Sequence, residues 1–147
     1  MNNYFIILAA GKGKRFSSKI PKQYVLYKNK PLFLHSIDTA IKSKLFKKII
    51  LVLDNVKSFK KNKNIDVIKG GNERYLSSKK ALEYIRNKKV KNVFIHDSAR
   101  PNFSINLLKK LKNNLYKNKA VVPYINSQSS AKYKNTNKVI NLKRERV

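Results

Sequence analysis

The stretch YFIILAAGKGKRF, residues 4–16, runs from five apolar residues straight into a turn rich in alanine, glycine and basic residues. An unalternated apolar run of this length, rich in isoleucine, is typical of a strand buried on both faces of a sheet. The run is too short to span a bilayer. We therefore interpret residues 4–8 as a buried strand whose carboxyl end opens into a functional loop.

Further strand and helix patterns alternate along the chain. The predicted strands are 49–53, 66–68, 90–95 and 120–125. The predicted helices are 31–44, with the apolar stripe Phe33, Ile37, Ala40 and Ile41; 73–88, with Tyr75, Leu82 and Ile85; and 104–117, with Leu107, Leu108, Leu111 and Leu115. Pro31 suits a first helical position and Ser104 an N-cap. This alternation predicts a Rossmann-like, three-layer α/β sandwich with a mostly parallel sheet, whose ligands bind at the carboxyl ends of the strands.

The last part of the sequence is polar. Residues 126–138 are rich in Ser, Asn and Lys, and the apolar pair Val139-Ile140 precedes a basic end. We interpret residues 1–147 as the N-terminal portion of one domain, with a sheet that is incomplete at its C-terminal end and with 126–147 as the start of a polar arm or dimerisation segment. We expect such a chain by itself to be poorly soluble and to have little activity, because sheet edges and apolar surface would stay uncovered.

Composition limits the setting and the partners. The sequence has no cysteine, which excludes disulfides and thiolate metal sites and favours the cytoplasm. The 35 Lys and Arg residues against 7 Asp and Glu residues give a net charge of +28, so a polyanionic partner has to be considered. The lysines are spread over nearly all predicted loops and helix faces, and no nucleic-acid-binding motif accompanies them. This pattern favours a solvated surface over a dedicated nucleic-acid face.

The loop after the first strand has the chemistry of a triphosphate site. Small residues allow the backbone to approach phosphates closely, and Arg15 and Lys22 supply cations that neutralise phosphate oxygens. The Gly11-Lys12-Gly13 spacing matches neither the phosphate loop of GTPases nor the dinucleotide fingerprint. Taken alone, this loop is as consistent with an ordinary tight turn as with a nucleotide site.

The wider motif set is more specific. AAGKGKRF at 9–16, PKQY at 21–24, GGNER at 70–74 followed by Ser77, and HDSARP at 96–101 occur in this order. Together they resemble the 2-C-methyl-D-erythritol 4-phosphate cytidylyltransferase family of the non-mevalonate isoprenoid pathway, a nucleotidyltransferase family with the fold of nucleotide-diphospho-sugar transferases. The resemblance extends from Ile6 to Arg146.

The resemblance implies a set of roles. The enzyme would transfer a cytidylyl group from CTP to methylerythritol phosphate, with a divalent cation such as Mg²⁺, and would form a homodimer in the cytoplasm. Arg15 and Lys22 would be catalytic, Asp97 would bind the metal, and Arg146 would contact the acceptor. The residues implied in nucleotide binding are Ala9, Ala10, Gly11, Gly13, Gly71, Asn72, Arg74 and Ser77.

Two positions depart from the family pattern. Asn72 stands where an acidic residue is common, which keeps a carbonyl acceptor for the cytosine amino group but loses the charge. Residues 126–130 replace an Asp-Thr pair that orients the acceptor, and either Ser127 or Ser129 is a candidate substitute.

Several alternatives stay open on the residues alone. Asp97 could pair with Arg100 instead of a metal. We expect His96 to be a packing or hydrogen-bonding residue and assign no role to His35. A cytidylyltransferase for a pentitol phosphate, or a basic nucleic-acid-binding module without catalysis, would share much of this sequence pattern.

Overall fold

Eight strands and three helices are present in the part of the chain that the computed structural model describes, which is residues 2–11, 20–60, 62–125, 131–135 and 138–142. The strands are β1 (Asn3–Leu8), β2 (Leu26–Tyr27), β3 (Lys30–Pro31), β4 (Lys48–Leu53), β5 (Ile65–Lys69), β6 (Asn92–Asp97), β7 (Ala131–Asn135) and β8 (Lys138–Leu142). The helices are α1 (Leu32–Ser43), α2 (Arg74–Ile85) and α3 (Ile105–Asn114).

The central sheet has four parallel strands in the order β5-β4-β1-β6. The chain moves outward from β1 to β4 and β5 and then returns to β6 on the other side of β1. Ligands of such sheets bind at the point where the strand order reverses, outside the carboxyl ends of the strands. The predicted α/β class and mostly parallel sheet are confirmed.

The core lies on both faces of the two inner strands. All six residues of β1 are buried, as are five of the six in β4, because helices cover both faces of a parallel sheet. Tyr4, Ile6 and Leu8 pack with Ala81 and Ile85 of α2. On the opposite face, Phe5 packs at a tilt against Phe46, which follows α1, and stacks on His96. These contacts build the predicted three layers.

Helix α1 begins one residue later than predicted. Pro31 is not the first helical residue but the N-cap, since it also pairs in β3. The buried stripe is Phe33, Ser36, Ile37, Ala40 and Ser43. The prediction for Ile41 was wrong: this residue is 43% exposed, because Ser36 and Ser43 take part in the buried face in its place.

Helix α2 turns a different face to the sheet from the one predicted. Its buried residues are Ser77, Ala81 and Ile85, four residues apart, whereas Tyr75 and Leu82 are 67% and 42% exposed. Small side chains at this spacing allow the helix to lie close to the inner strands, and the larger residues do not fit there. Only Ile85 of the predicted stripe was right.

Helix α3 is capped as predicted but is less deeply buried. The Ser104 Oγ accepts a hydrogen bond from the Leu107 N–H at 3.1 Å, which is the N-cap arrangement. Of its predicted core leucines only Leu108 is buried, and Leu107, Leu111 and Leu115 are half-buried. The predicted apolar face is therefore fully buried only at Leu108, and its other three leucines are partly exposed.

The chain divides into two compact units, Met1–Asn113 and Asn114–Val147. In the second unit the predicted strand at 120–125 is absent, and Val122, Tyr124 and Ile125 are highly exposed. An apolar run becomes a strand only where a partner edge accepts its backbone hydrogen bonds. Val139 and Ile140 do form a strand, β8, but its antiparallel partner β7 precedes it within the polar segment.

Among the described residues, the three helices are all too short and too polar to cross a bilayer.

Candidate functional site at the carboxyl ends of the strands

The predicted site residues that the structure describes gather where β1, β5 and β6 end. Ala9, Ala10 and Gly11 follow β1, Gly70 and Gly71 follow β5, and Asp97 is the last residue of β6. Leu8 and Asp97 are register partners, so the alanine-glycine loop begins beside the Asp97 carboxylate. This edge coincides with the reversal of strand order next to β1.

The first loop continues the sheet and then opens. The Ala9 N–H donates to the Val52 carbonyl at 2.8 Å, which keeps the chain in line with β4. Ala9 and Ala10 are buried, whereas a methyl group added at Gly11 would meet no atom of the described residues within 4 Å. The loop thus offers open space beside small residues, which is what the close approach of a ligand to the backbone requires. Gly13 and Arg15 lie outside the described residues.

A short 3-10 turn, Lys22–Tyr24, is joined to this loop by a buried side chain. Gln23 is 5% exposed, and its Nε2 donates to the Ala9 carbonyl at 2.9 Å and to the Gly11 carbonyl at 2.8 Å. Lys22, on the same turn, is exposed. The turn therefore places an exposed cation one residue from the amide that holds the loop.

The glycine pair after β5 packs directly on the first loop. A methyl group on Gly70 would lie 2.3 Å from the Ala10 Cβ and 2.9 Å from the Ser77 Oγ, so no larger residue fits there. The Gly71 N–H donates to the Ser77 Oγ at 3.0 Å, and Lys80 donates to the Gly70 carbonyl at 3.1 Å. Ser77 thereby supports the glycine pair, and its contact with a nucleotide stays a prediction.

The Asp97 carboxylate bridges two arginines. The Arg74 Nε donates to its Oδ1 at 2.8 Å, and the Arg100 Nε lies 3.7 Å from its Oδ2. Arg74 is the first residue of α2, so this ion pair draws the start of that helix toward the end of β6. The pairing with Arg100, considered from sequence as an alternative to a metal, is present in the structure.

The two histidines have the minor roles expected of them. The His96 Nε2 lies 3.2 Å from the Ser36 Oγ, and the ring stacks on Phe5 and packs at a tilt against Phe103. Burial lowers the pKa of His96 below the ordinary value of 6.5, and the neighbouring Asp97 charge opposes this effect. The His35 Nε2 lies 2.8 Å from the Tyr27 carbonyl oxygen.

His35 also lines a separate cleft of about 500 Å³ between α1 and the segment that follows β6. The described residues that line it are Tyr27, Leu32, His35, Asp38, Thr39, Lys42, Pro101 and Asn102. This set contains no residue predicted for nucleotide, acceptor or metal binding.

The sequence-based site is thus assembled in part. The structure brings together Ala9, Ala10, Gly11, Gly71, Ser77, Arg74 and Asp97, and it attaches Lys22 through the neighbouring Gln23. Asn72 is exposed in the turn between them. Arg146, Ser127 and Ser129 lie outside the described residues.

Two contributors to the site were missed from sequence. Gln23 stands inside the PKQY motif, and its position beside Lys22 was the available signal. Lys80 lies two turns into α2 and gave no signal, since it is one lysine among many.

Comparisons with known proteins identify the family of the chain. The family model of IspD, 2-C-methyl-D-erythritol 4-phosphate cytidylyltransferase, matches residues 4–147. The chain belongs to this family. It is therefore a member of a cytidylyltransferase family, and neither the pentitol-phosphate enzyme nor the nucleic-acid-binding module is favoured.

Curated relatives include both single and bifunctional proteins. The chain is 50% identical over 151 residues to the bifunctional enzyme IspD/IspF of Pelagibacter ubique, covering all of this chain and 41% of that protein. It is 34% identical to the 2-C-methyl-D-erythritol 4-phosphate cytidylyltransferase of Lachnoclostridium phytofermentans, covering 86% of this chain and 58% of that protein. The IspD-family chain thus spans 41% and 58% of the length of these two relatives.

Solved structures match the fold over the whole chain. The bifunctional IspDF of Campylobacter jejuni aligns with a TM-score of 0.82 at 33% identity, over 100% of this chain and 38% of that one. The 4-diphosphocytidyl-2C-methyl-D-erythritol synthase of Anaerococcus prevotii aligns with a TM-score of 0.81 at 28% identity, over 99% of this chain and 66% of that one.

Proposed function

We propose that the protein carrying this chain transfers a cytidylyl group from CTP to 2-C-methyl-D-erythritol 4-phosphate, giving 4-diphosphocytidyl-2-C-methyl-D-erythritol and pyrophosphate. One observation carries the proposal: the loop after β1, the glycine pair after β5 and the carboxylate at the end of β6 meet at one edge of the sheet. Family membership supplies the reaction and the two substrates.

The residues have roles that follow from charge. The acceptor's phosphate is largely dianionic at pH 7, so one of its oxygens can attack the α-phosphorus of CTP without a protein base. The bond from the α-phosphorus to the bridging oxygen breaks, and pyrophosphate leaves with that electron pair. Arg15 and Lys22 stabilise the charge that develops on the phosphoryl oxygens and on the leaving group.

The nucleotide is held by small residues and by the start of α2. Ala9, Ala10, Gly11 and Gly13 let the triphosphate approach the backbone, while Gly71, Asn72, Arg74 and Ser77 hold the nucleoside and its phosphates. The packing of Gly70 against Ala10 and Ser77 supports this assignment, because it brings the loops after β1 and β5 together.

Asp97 fits a magnesium ion as the ligand that the chain supplies. A carboxylate is the kind of hard oxygen ligand that Mg²⁺ takes, and its Oδ2, 3.7 Å from the Arg100 Nε, is the oxygen less closely held by an arginine. Among the described residues no three His, Cys, Asp or Glu side chains cluster into a metal site, so other ligands would be waters and triphosphate oxygens. When bound, the ion would neutralise phosphate charge.

The metal assignment is tested by binding as well as by activity. Asp97→Asn keeps the shape of the side chain but removes its charge, so we expect Mn²⁺ binding in the presence of CTP to weaken by at least about tenfold. Electron paramagnetic resonance of free Mn²⁺ measures this directly in the intact protein. Asp38→Asn, on α1, is the matched control and should bind Mn²⁺ like the parent. Equal binding by Asp97→Asn and the parent would remove Asp97 from the metal site.

The reaction itself is tested with two acceptors. We expect pyrophosphate release from CTP with methylerythritol phosphate in the presence of Mg²⁺, and little release with a pentitol phosphate. Faster turnover of the pentitol phosphate would overturn the proposed substrate, and no turnover of either would overturn the reaction.

The remaining proposals rest on the family resemblance. We propose a cytoplasmic homodimer, in which Arg146 binds the acceptor's phosphate. The lack of cysteine supports the reducing compartment.

A further inference from the structure

Gln23 stands out as a buried polar side chain for which the mechanism above has no use. It is 5% exposed, and both of its described hydrogen bonds go to carbonyls of the loop after β1. Carbonyl oxygens only accept, so it is the NH₂ end of the amide that faces them, and its two hydrogens match the two acceptors. A side chain of this kind links two segments rather than filling space.

Gln23 links two segments of the proposed phosphate site, the loop at 9–11 and the 3-10 turn that carries Lys22. One bond goes to Ala9 and the other to Gly11, so the amide spans the loop around Ala10. Gln23 itself lies in the middle of the 3-10 turn, which is closed by a bond from the Tyr24 N–H to the Pro21 carbonyl at 2.9 Å. Lys22, exposed on this turn, is therefore held at a set distance from the loop.

The turn has a second anchor on the sheet side. The Tyr24 hydroxyl donates at 3.2 Å to the Oδ1 of Asp54, the residue that directly follows β4. The Tyr24 ring packs edge-on against Phe33. The Val25 carbonyl accepts from the Leu32 N–H at 3.0 Å, which joins the turn to the start of α1. These contacts fix Tyr24 and Val25 against the sheet and α1. The Gln23 hydrogen bonds therefore determine how the turn is placed relative to the loop at 9–11.

We infer that Gln23 is a positioning residue, which fixes Lys22 relative to the loop at 9–11 and so aligns the cation with the phosphates bound there. The inference rests on the proposed function for its chemistry, and on the two hydrogen bonds for its geometry. A misplacement of about 1 Å at a reacting site can lower turnover by about 100-fold, so loss of this link affects kcat more than folding.

The experiment compares the two buried side-chain amides near the opposite ends of β1, Gln23 and Asn3. Gln23→Met keeps the length of the side chain and removes both donors. Asn3→Leu is the matched control: Asn3 is fully buried at the amino end of β1, where its Nδ2 donates to the Leu45 carbonyl at 3.0 Å. Both variants remove side-chain donors from carbonyls that are at least partly buried, and both should lower the melting temperature of the intact protein.

The kinetic results should differ between the two variants. Normalised to folded protein, Gln23→Met should lower kcat by about 10- to 100-fold with a smaller change in KM for CTP, whereas Asn3→Leu should stay within about twofold of the parent. Equal kcat losses in the two variants would reduce Gln23 to a stabilising residue and overturn the inference.

A double variant tests the route through Lys22. If Gln23 acts by placing Lys22, Gln23→Met should cost clearly less in a Lys22→Ala background than in the parent, because the group being placed is gone. The same fold-loss in both backgrounds would contradict this route.

Failure of the proposed function is distinguishable from failure of this inference. If the parent transfers no cytidylyl group, the function is wrong, and amide hydrogen exchange then decides the positioning role. We expect faster exchange at residues 9–11 in Gln23→Met but not in Asn3→Leu. Unchanged exchange in Gln23→Met would overturn the inference whatever the reaction is.

Discussion

Each end of β1 is held by a buried side-chain amide, but only the carboxyl end belongs to the candidate site. At the amino end, Asn3 donates to the Leu45 carbonyl and accepts from Asn92, its register partner on β6. At the carboxyl end, Gln23 donates to two carbonyls of the loop that follows the strand. Both are buried amides whose NH₂ groups donate to backbone carbonyls.

The difference lies in what surrounds each amide. Around Asn3 the amide joins neighbouring chain segments, and the described contacts are neutral. At the Gln23 end the chain offers open space at Gly11 and an exposed cation at Lys22, and β6 ends there in Asp97, which pairs with Arg74 of α2 and with Arg100 of the next loop. A parallel sheet thus concentrates charge and open backbone at its carboxyl end, while the amino end serves folding.

The largest expected effect is a loss of turnover when a charged residue at the carboxyl end of the sheet is removed. Lys22→Ala should lower turnover by a factor of at least about 100 with little change in stability, because it removes a cation that stabilises transition-state charge. Steady-state kinetics with CTP and methylerythritol phosphate measure this. Lys109→Ala, an exposed lysine on α3, should keep parental turnover. Near-normal turnover of Lys22→Ala would remove that residue from the mechanism.

Gly70 and Gly11, both at the carboxyl end of the sheet, should differ in how much an added methyl group destabilises the fold. Gly70→Ala should lower the free energy of unfolding by about 1–3 kcal/mol, since the new methyl group would collide with the Ala10 and Ser77 side chains. The methyl group of Gly11→Ala would contact none of the described residues, so the free energy of unfolding should change by less than about 0.5 kcal/mol. Urea denaturation of both variants checks this. Equal stability of the two variants would mean that the loops after β1 and β5 do not pack as described.

The smallest expected effect is a pH dependence near the carboxyl end. Burial lowers the pKa of His96, so below about pH 6.5 the unfolded chain takes up a proton that the folded chain does not, and stability falls. Above that pH the contribution is complete. Unfolding free energies at about pH 5 and about pH 7.5 should therefore differ less in His96→Gln than in the parent. A variant with the parental pH dependence would show that His96 is not the responsible group.

Much of the sheet was predictable because its strands carry their signal locally. Residues 4–8 and 49–53 are unbroken apolar runs, and both form fully buried inner strands. The run at 120–125 looks similar but forms no strand in the second unit. Pairing needs a partner edge, which is a property of the assembled sheet and not of the run itself.

The helix faces were less predictable. In α2 the apolar residues Tyr75 and Leu82 predicted one face, but Ser77 and Ala81 are the residues that meet the sheet. Hydrophobicity alone ranks a tyrosine above a serine, whereas the short distance between helix and sheet favours the smaller side chain.

The sequence by itself determined the class of fold, the family and the residue types that a triphosphate site needs, because these depend on apolar periodicity and on motifs that are continuous in the chain. Only the tertiary structure decided how those motifs meet: that Ala10 packs on Gly70, that Arg74 and Arg100 share Asp97, and that Gln23 links the turn of Lys22 to the first loop. These contacts join residues up to 60 positions apart in the chain, as Ala10 and Gly70 are, and their geometry depends on the order in which parallel strands assemble, which no local pattern records.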